Sequence, residues 1–312
     1  ADYGKRIIER LSKRLTQEFG RGFSEDNLSR MRKFYLEYQD VMSPQISAKP
    51  SRKLLPTGDL DMSLQPPKQD SLKLTKEAML SWSHYVFLMT INDRKERRFY
   101  EIESAQNGWS LPELKRQYNS SLYERLALSR NKEKVQDLSR RGQIIETPSD
   151  MIKEPCVLEF LGLDEKAEYA ESDLESAIID KLEHFLLELG KGFLFESRQK
   201  RFTFDGDHFY VDLVFYNRLL HCYVLIDLKI GKLTHQNLGQ MQMYVNYFDR
   251  HVKKSDEHPT VGIVLCRSKS SALVEMTLPK GTNIYASEYK LYLPSKAELK
   301  KKIDTLGCSY NI

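Results

Sequence analysis

The sequence predicts an α/β protein: a mixed-sheet domain in the C-terminal half, joined to an all-α N-terminal half. Three observations carry this. Apolar residues recur at helical spacing through most of residues 5–141. The period then changes to strand-like runs at 193–204, 209–217 and 221–230, with Asp205-Gly206-Asp207 as a hairpin turn between the first two. Beyond them helices alternate with further strands, the order of a mixed-sheet α/β domain.

In the N-terminal half, residues 5–18 read as a basic amphipathic helix with Ile7, Ile8, Leu11 and Leu15 on one stripe. Gly20 and Gly22 break it, and Ser24 is placed to cap a helix over 25–39. Residues 42–72 hold Pro44, Pro50, Pro56, Pro66 and Pro67, five of the chain's eleven prolines, and read as a long loop or linker. Helical patterns resume over 73–91, 93–106, 110–128 and 130–141, and a short polar connection at 143–155 separates the halves.

In the C-terminal half, residues 172–189 form an amphipathic helix that Gly190 is placed to end. After the three strands come a helix over 234–249, a buried strand over 260–266, a short helix over 269–277, a strand over 283–292 and a helix over 295–304. The expected domains are therefore 1–150, all helical, and 151–312, a mixed-sheet α/β domain.

With 312 residues, 40% hydrophobic and 29% charged, the chain has the composition of an ordinary two-domain globular protein rather than a disordered one. No apolar run approaches the roughly 20 residues that cross a bilayer, so no membrane partner is expected. The opening ADYGKRIIERL has no apolar core of a signal peptide. Four scattered cysteines without a CxxC pair point to reduced thiols in a cytoplasm. Residues 1–150 carry 27 Lys plus Arg against 21 Asp plus Glu, and residues 151–312 carry 21 against 23. The basic excess lies in the first half, where it suits phosphate neutralisation. HExxH, Walker A and Gly-x-Ser-x-Gly motifs are all absent.

Two segments of that half share a pattern, Gly22-Phe23-Ser24 followed by Leu28 and Arg30, and Gly108-Trp109-Ser110 followed by Leu114 and Arg116. Each suits a turn, an aromatic packed on the core and a helix cap. Two readings stay open: ordinary helical hairpins, or helix-turn-helix joints that carry Arg30, Lys115 and Arg116 to DNA.

The chemistry is concentrated in Tyr210-Val-Asp212-Leu-Val-Phe-Tyr216 and Tyr223-Val-Leu-Ile-Asp227-Leu-Lys229. A charge in such an apolar strand is costly unless it is paired or holds a metal. Alternation puts Asp227 and Lys229 on one face, with Cys222, Val224, Ile226 and Leu228 on the other. If the runs pair as a hairpin, Asp212 lies beside Asp227, and two adjacent carboxylates suit a hard cation such as Mg2+ or Mn2+. The bland alternative is an edge-strand ion pair between Asp227 and Lys229.

A helix acid, then Asp, then [Asp/Glu]-x-Lys resembles the PD-(D/E)XK nuclease superfamily. The resemblance implies that Glu175 is the helix acid and a third metal ligand, with Glu171 and Asp173 as fallbacks. It also implies that Gln240 and Tyr244, a Gln-x-x-x-Tyr element, line the nucleic-acid groove. Arg198 and Gln199 fall near that groove but outside the catalytic set. ESDLESAIIDKLEHFLLELG, FYVDLVFYNRLLHCYVLIDLKIGK, GQMQMYVNYFD, GFSEDNLSRMRKFY and NGWSLPELKRQYNSSLYERL are similar to the bacterial YhcG-like family of that superfamily, over nearly the whole chain except 42–72. Two departures stand out: Val211 replaces the motif's proline, and Asp227 stands where the family more usually has Glu. The opening ADYGKRIIERL resembles a start inside the family's N-terminal domain, with an upstream helix beyond the sequence.

The family implies a winged-helix or helix-turn-helix-like N-terminal domain, a PD-(D/E)XK nuclease fold, and Mg2+-dependent endonuclease action on DNA in the cytoplasm, at the nucleoid. Glu175, Asp212, Asp227 and Lys229 are the expected catalytic set. The rivals are a catalytically silent nucleic-acid-binding module within a complex and an RNA-cleaving toxin. A homo-oligomer or a nuclease complex remains open.

Overall fold

The computed structural model describes residues 2–42, 80–129, 132–164, 168–279 and 281–309. The Pro-rich segment expected as a linker lies outside them almost entirely, as do residues 73–79. The described chain groups into two compact units, Ala1–Arg97 with Ser104–Leu111, and Arg98–Glu103 with Pro112–Ile312.

The first unit contains α1 (Asp2–Phe19), α2 (Glu25–Met42), α3 (Trp82–Leu88) and the ends of α4 (Arg94–Asn107). Between α1 and α2, Gly20 and Gly22 take φ of 84° and 116°, and Ser24 Oγ accepts from the Asn27 N–H at 3.3 Å. These are the turn and the cap that the sequence pattern predicts. The second glycine turn closes α4, with Gly108 at φ 63°. His84 is buried between Ser81 Oγ at 2.6 Å and the Trp109 carbonyl at 2.9 Å. Phe34 packs edge to face with Trp82 and Tyr85, and Tyr38 with Tyr85, in an aromatic cluster of this unit.

The second unit begins with α5 (Leu111–Asn119), α6 (Leu122–Leu128) and α7 (Lys132–Arg141). The run expected as one helix over 110–128 is broken at Ser121, which adopts φ 55°. A short strand β1 (Cys156–Val157) follows, then α8 (Glu171–Asp180) and α9 (Leu182–Leu189), which the sequence reads as one helix; Lys181, at φ −118° and ψ 32°, parts them.

Next come β2 (Phe193–Phe204), β3 (Asp207–Asn217), β4 (Cys222–Lys232), α10 (His235–His251), β5 (Val261–Ser268), α11 (Ser271–Thr277), β6 (Ile284–Lys290) and α12 (Lys296–Ser309). The six strands form one sheet in the order β1-β6-β5-β4-β3-β2. β2, β3 and β4 are antiparallel neighbours, whereas β4, β5, β6 and β1 run parallel. The hairpin at Asp205-Gly206 is tight, with φ of 52° and 84°.

Each sheet face has its own core. Leu174 and Ile178 of α8 and Phe185 of α9 pack on Leu213, Phe215, Cys222, Val224, Ile226 and Leu228. On the other face, Leu238, Met241, Tyr244, Val245 and Phe248 of α10 pack on Val214, Leu225 and Val264. α10 lies close because residue 262 is Gly: a Cβ there would stand 2.6 Å from Met241 Sδ and 2.9 Å from Val245.

A buried ion network sits at the α9 end. Arg125 is wholly buried and donates to Glu188 Oε1 at 2.5 Å, to the Ser120 carbonyl at 2.8 Å and to the Pro155 carbonyl at 3.1 Å. Glu188 also accepts from the Val157 N–H at 2.9 Å and pairs with Arg116 at 3.3 Å, while Lys153 donates to its carbonyl. Every charge there has a partner, as a buried charge requires.

Candidate active site

The β3–β4 ladder pairs Leu213 with Ile226, and one step farther along stand Asp212 and Asp227. The alternation of β4 sends Ile226 and Leu228 into the α8 core and Leu225 into the α10 core, so Asp227 and Lys229 share the α10 side. The hairpin spacing thus brings the two aspartates and the lysine together.

Asp212 is half-buried. Its Oδ2 accepts from the Leu228 N–H at 2.8 Å and its Oδ1 from Gln199 Nε2 at 3.0 Å. Asp227 is 2% exposed. Its Oδ2 is sealed from solvent and makes no well-aligned hydrogen bond, and Lys229 Nζ stands 2.9 Å away as its ion-pair partner. Burial pushes the Asp227 carboxyl up to about 7; Lys229 opposes the shift and Asp212 adds to it. Lys229 also pairs with Glu171 Oε2 at 3.2 Å. Burial works against its charge, but Asp227, then Glu171 and Asp212, outweigh it and hold the ammonium above the ordinary lysine value.

Glu175 is 4% exposed and reaches the same cluster from α8. Both its oxygens are taken: Oε1 by Arg198 Nε and Oε2 by Gln199 Nε2 at 2.6 Å. Arg198 also donates to Ser176 Oγ at 3.1 Å. Of the fallback acids, Glu171 reaches Lys229, and Asp173 caps α8 through the Ala170 N–H at 2.8 Å.

Gln240 and Tyr244 lie one turn apart on α10, and Gln240 Nε2 donates to the Tyr244 hydroxyl at 2.5 Å. Tyr244 is buried beneath the site rather than open to a groove, with its ring edge-on to Phe202. Burial raises its hydroxyl pKa; Gln240 opposes this, while Asp227 and Asp212 add to it.

Among the described residues, no three His, Cys, Asp or Glu side chains are arranged to hold a metal ion. The pair Asp212 and Asp227 nevertheless fits a hard divalent cation. Both offer carboxylate oxygens, and the buried Asp227 Oδ2 makes no well-aligned hydrogen bond, its charge met by Lys229 Nζ at 2.9 Å, which leaves a lone pair that a cation would satisfy. Glu175 does not join that pair as it stands, because Arg198 and Gln199 hold it.

The residues expected at a nucleic-acid surface divide. Arg30 on α2 and Lys115 on α5 are exposed. Arg116 spends its guanidinium on Glu159 at 3.1 Å, Glu188 at 3.3 Å and the Val157 carbonyl at 3.2 Å, and lies over the Phe160 ring. Gln199, which the sequence motif leaves outside the catalytic set, touches two of the expected carboxylates; its place in a polar strand gives no signal.

Comparison with known proteins places these features. The YhcG PDDEXK nuclease domain matches residues 149–304, and the DUF1016 N-terminal domain matches residues 1–125. The protein named "Putative nuclease YhcG" from Escherichia coli (strain K12) is 40% identical over 311 residues, which span 97% of this chain and 80% of that one. A repair endonuclease from Pyrococcus abyssi is 17% identical over 42% of this chain and 50% of its own, at a TM-score of 0.28. An EndoMS–dsDNA complex is 18% identical over 43% of this chain and 51% of its own, at a TM-score of 0.29. The chain spans about half the length of those two structures, a likeness too partial to bear on its function. Together, the two family matches and the near full-length identity show that the chain belongs to the YhcG family, a DUF1016 N-terminal domain followed by a PD-(D/E)XK-type nuclease domain.

Proposed function

We propose that this protein is a divalent-metal-dependent endonuclease that hydrolyses phosphodiester bonds in DNA, in processing, repair or defence at the bacterial nucleoid. The observation that carries the reading is the meeting of Asp212 and Asp227, one step beyond the end of the β3–β4 ladder, with Lys229. Asp212 and Asp227 would hold Mg2+ or Mn2+. The ion, when bound, polarises the phosphoryl oxygen and makes a bound water more acidic. Lys229 remains charged beside the carboxylates and stabilises the negative charge that grows on the attacking water and the phosphate. Glu175 contributes from α8 once its Arg198 contact opens. The buried Tyr244 and its partner Gln240 support the floor of the site. The basic excess of residues 1–150, with Arg30 and Lys115 exposed, supports a phosphate-rich partner.

The test is nicking of supercoiled plasmid by the full chain with Mg2+ or Mn2+, beside a structured RNA. The expected result is nicking that EDTA stops and that Asp227→Asn abolishes. Salt-sensitive gel shifts without cleavage in any divalent metal would overturn the enzyme and leave a binding module. Cleavage of the RNA with the plasmid spared would overturn the DNA assignment.

A further inference from the structure

We propose that Gln199 is a positioning residue of the metal site, whose side-chain amide ties the Asp212 carboxylate to Glu175 as an anchor and so fixes where Asp212 stands for a divalent cation. The inference rests on the reading of Asp212 and Asp227 as metal ligands.

One nitrogen makes both contacts. Gln199 Nε2 donates to Glu175 Oε2 at 2.6 Å and to Asp212 Oδ1 at 3.0 Å. A side-chain amide has two N–H donors on that nitrogen, and an ionised carboxylate only accepts. Turning the amide over would set its oxygen against two carboxylates, so its orientation is fixed by its neighbours.

The backbone is shaped to deliver that nitrogen. Arg198 pairs with Leu213 and Lys200 with Val211, which sets Gln199 opposite Asp212. Consecutive residues of a regular strand point to opposite faces. Here Arg198 and Gln199 nonetheless both bind Glu175. What permits this is the φ of 47° at Gln199, a left-handed conformation that a side chain with a Cβ rarely adopts. The register of β2 on β3 also shifts between Phe195 and Ser197, a few residues before. Bulges and left-handed residues of this kind re-aim side chains beside functional sites.

The chemistry of the residue also matters. Glu175 and Asp212 are like charges on facing elements, and without a donor between them they would repel each other and move apart. A lysine or arginine at 199 would bridge them but would neutralise the charge that attracts the cation. A neutral amide bridges them and leaves the charge in place. If residue 199 served the backbone alone, glycine would suit the left-handed φ better than glutamine.

That contrast supplies the test. Full-length wild type, Gln199→Gly, Gln199→Asn and Asp227→Asn are each titrated with Mn2+ by isothermal calorimetry and melted without metal. Gln199→Gly relaxes the backbone but leaves Glu175 Oε2 and Asp212 Oδ1 without their shared donor, so it should melt no higher than wild type and bind Mn2+ about tenfold more weakly. Gln199→Asn tolerates the same φ but is one methylene too short. It should show the same weakening, and it carries the test if the glycine variant does not fold. Unchanged Mn2+ affinity in both Gln199 variants, in a protein whose binding Asp227→Asn abolishes, overturns the role of Gln199 alone. A wild type that binds no Mn2+, or binds it equally well with Asp227→Asn, overturns the metal reading and this inference together.

Discussion

The main-chain N–H of Leu228 donates to Oδ2 of Asp212 at 2.8 Å, so a carboxylate of the candidate site also secures β4 just beyond the last β3–β4 pair. The two duties can be separated by substitution. Asp212→Ala leaves the buried Leu228 N–H unpaired and should cost about 1.5–3 kcal/mol. Asp212→Asn keeps an acceptor and should recover most of that, while both variants lose cleavage. Calorimetric melting of the two mutants beside wild type checks this, and an alanine variant as stable as wild type would remove the structural duty.

Lys229→Ala should lower plasmid nicking by about 10²–10³-fold. The fold should survive, because Asp227, already pushed up to about 7, takes a proton when its cation partner goes. Melting and nicking must be read on one preparation. A variant that melts much earlier yet cleaves at the wild-type rate would make Lys229 a structural ion-pair partner only.

Glu188→Gln should be the most damaging change to stability, at about 3–5 kcal/mol, since it strands the wholly buried Arg125. The pH dependence follows. Burial resists the Glu188 charge, but Arg125, Lys153 and Arg116 outweigh it and draw its carboxyl down to about 2 from 4.5. Between those values the unfolded chain binds a proton that the native one does not, so stability falls as pH falls through that window. Denaturant titrations at pH 7 and pH 3 should show wild type losing far more than Glu188→Gln over this interval.

Arg30 and Arg32 are exposed on α2, whereas Lys33 is tied to the Met89 carbonyl at 2.6 Å. In the full chain, Arg30→Ala with Arg32→Ala should reduce the slope of log affinity against log salt by about one for each phosphate that is no longer neutralised. The reduction should be alike for unrelated DNA sequences. An unchanged slope would take α2 away from the nucleic acid.

The strands and the meeting of Asp212, Asp227 and Lys229 were legible because a period of two leaves no freedom: once the hairpin spacing is set, so are the faces. The Asp205-Gly206 turn and the Gly20, Gly22 and Gly108 turns were legible because few residues accept a positive φ. The breaks at Ser121 and Lys181 were not, since an apolar stripe runs on across a local kink and only tertiary packing interrupts it. The burial of Arg116, expected at DNA in one of two readings, and of Arg125 and Glu188 was not legible either, because what buries them is one another, from segments far apart in sequence. Gln199 was hidden for a similar reason, because its value lies in a backbone angle that no residue type announces.

The burial of Asp227 has a consequence for descent. A carboxylate sealed from water beside a second one is a burden to the fold, which under the proposed function its use in cleavage offsets. A lineage released from cleavage would shed the acid at 227 early, trading it for an amide or an aliphatic residue and growing more stable as it did so. Position 212 would drift more slowly, because Leu228 still needs an acceptor there. A retired copy of this protein should therefore be recognisable by an intact acceptor at 212 facing a neutral residue at 227.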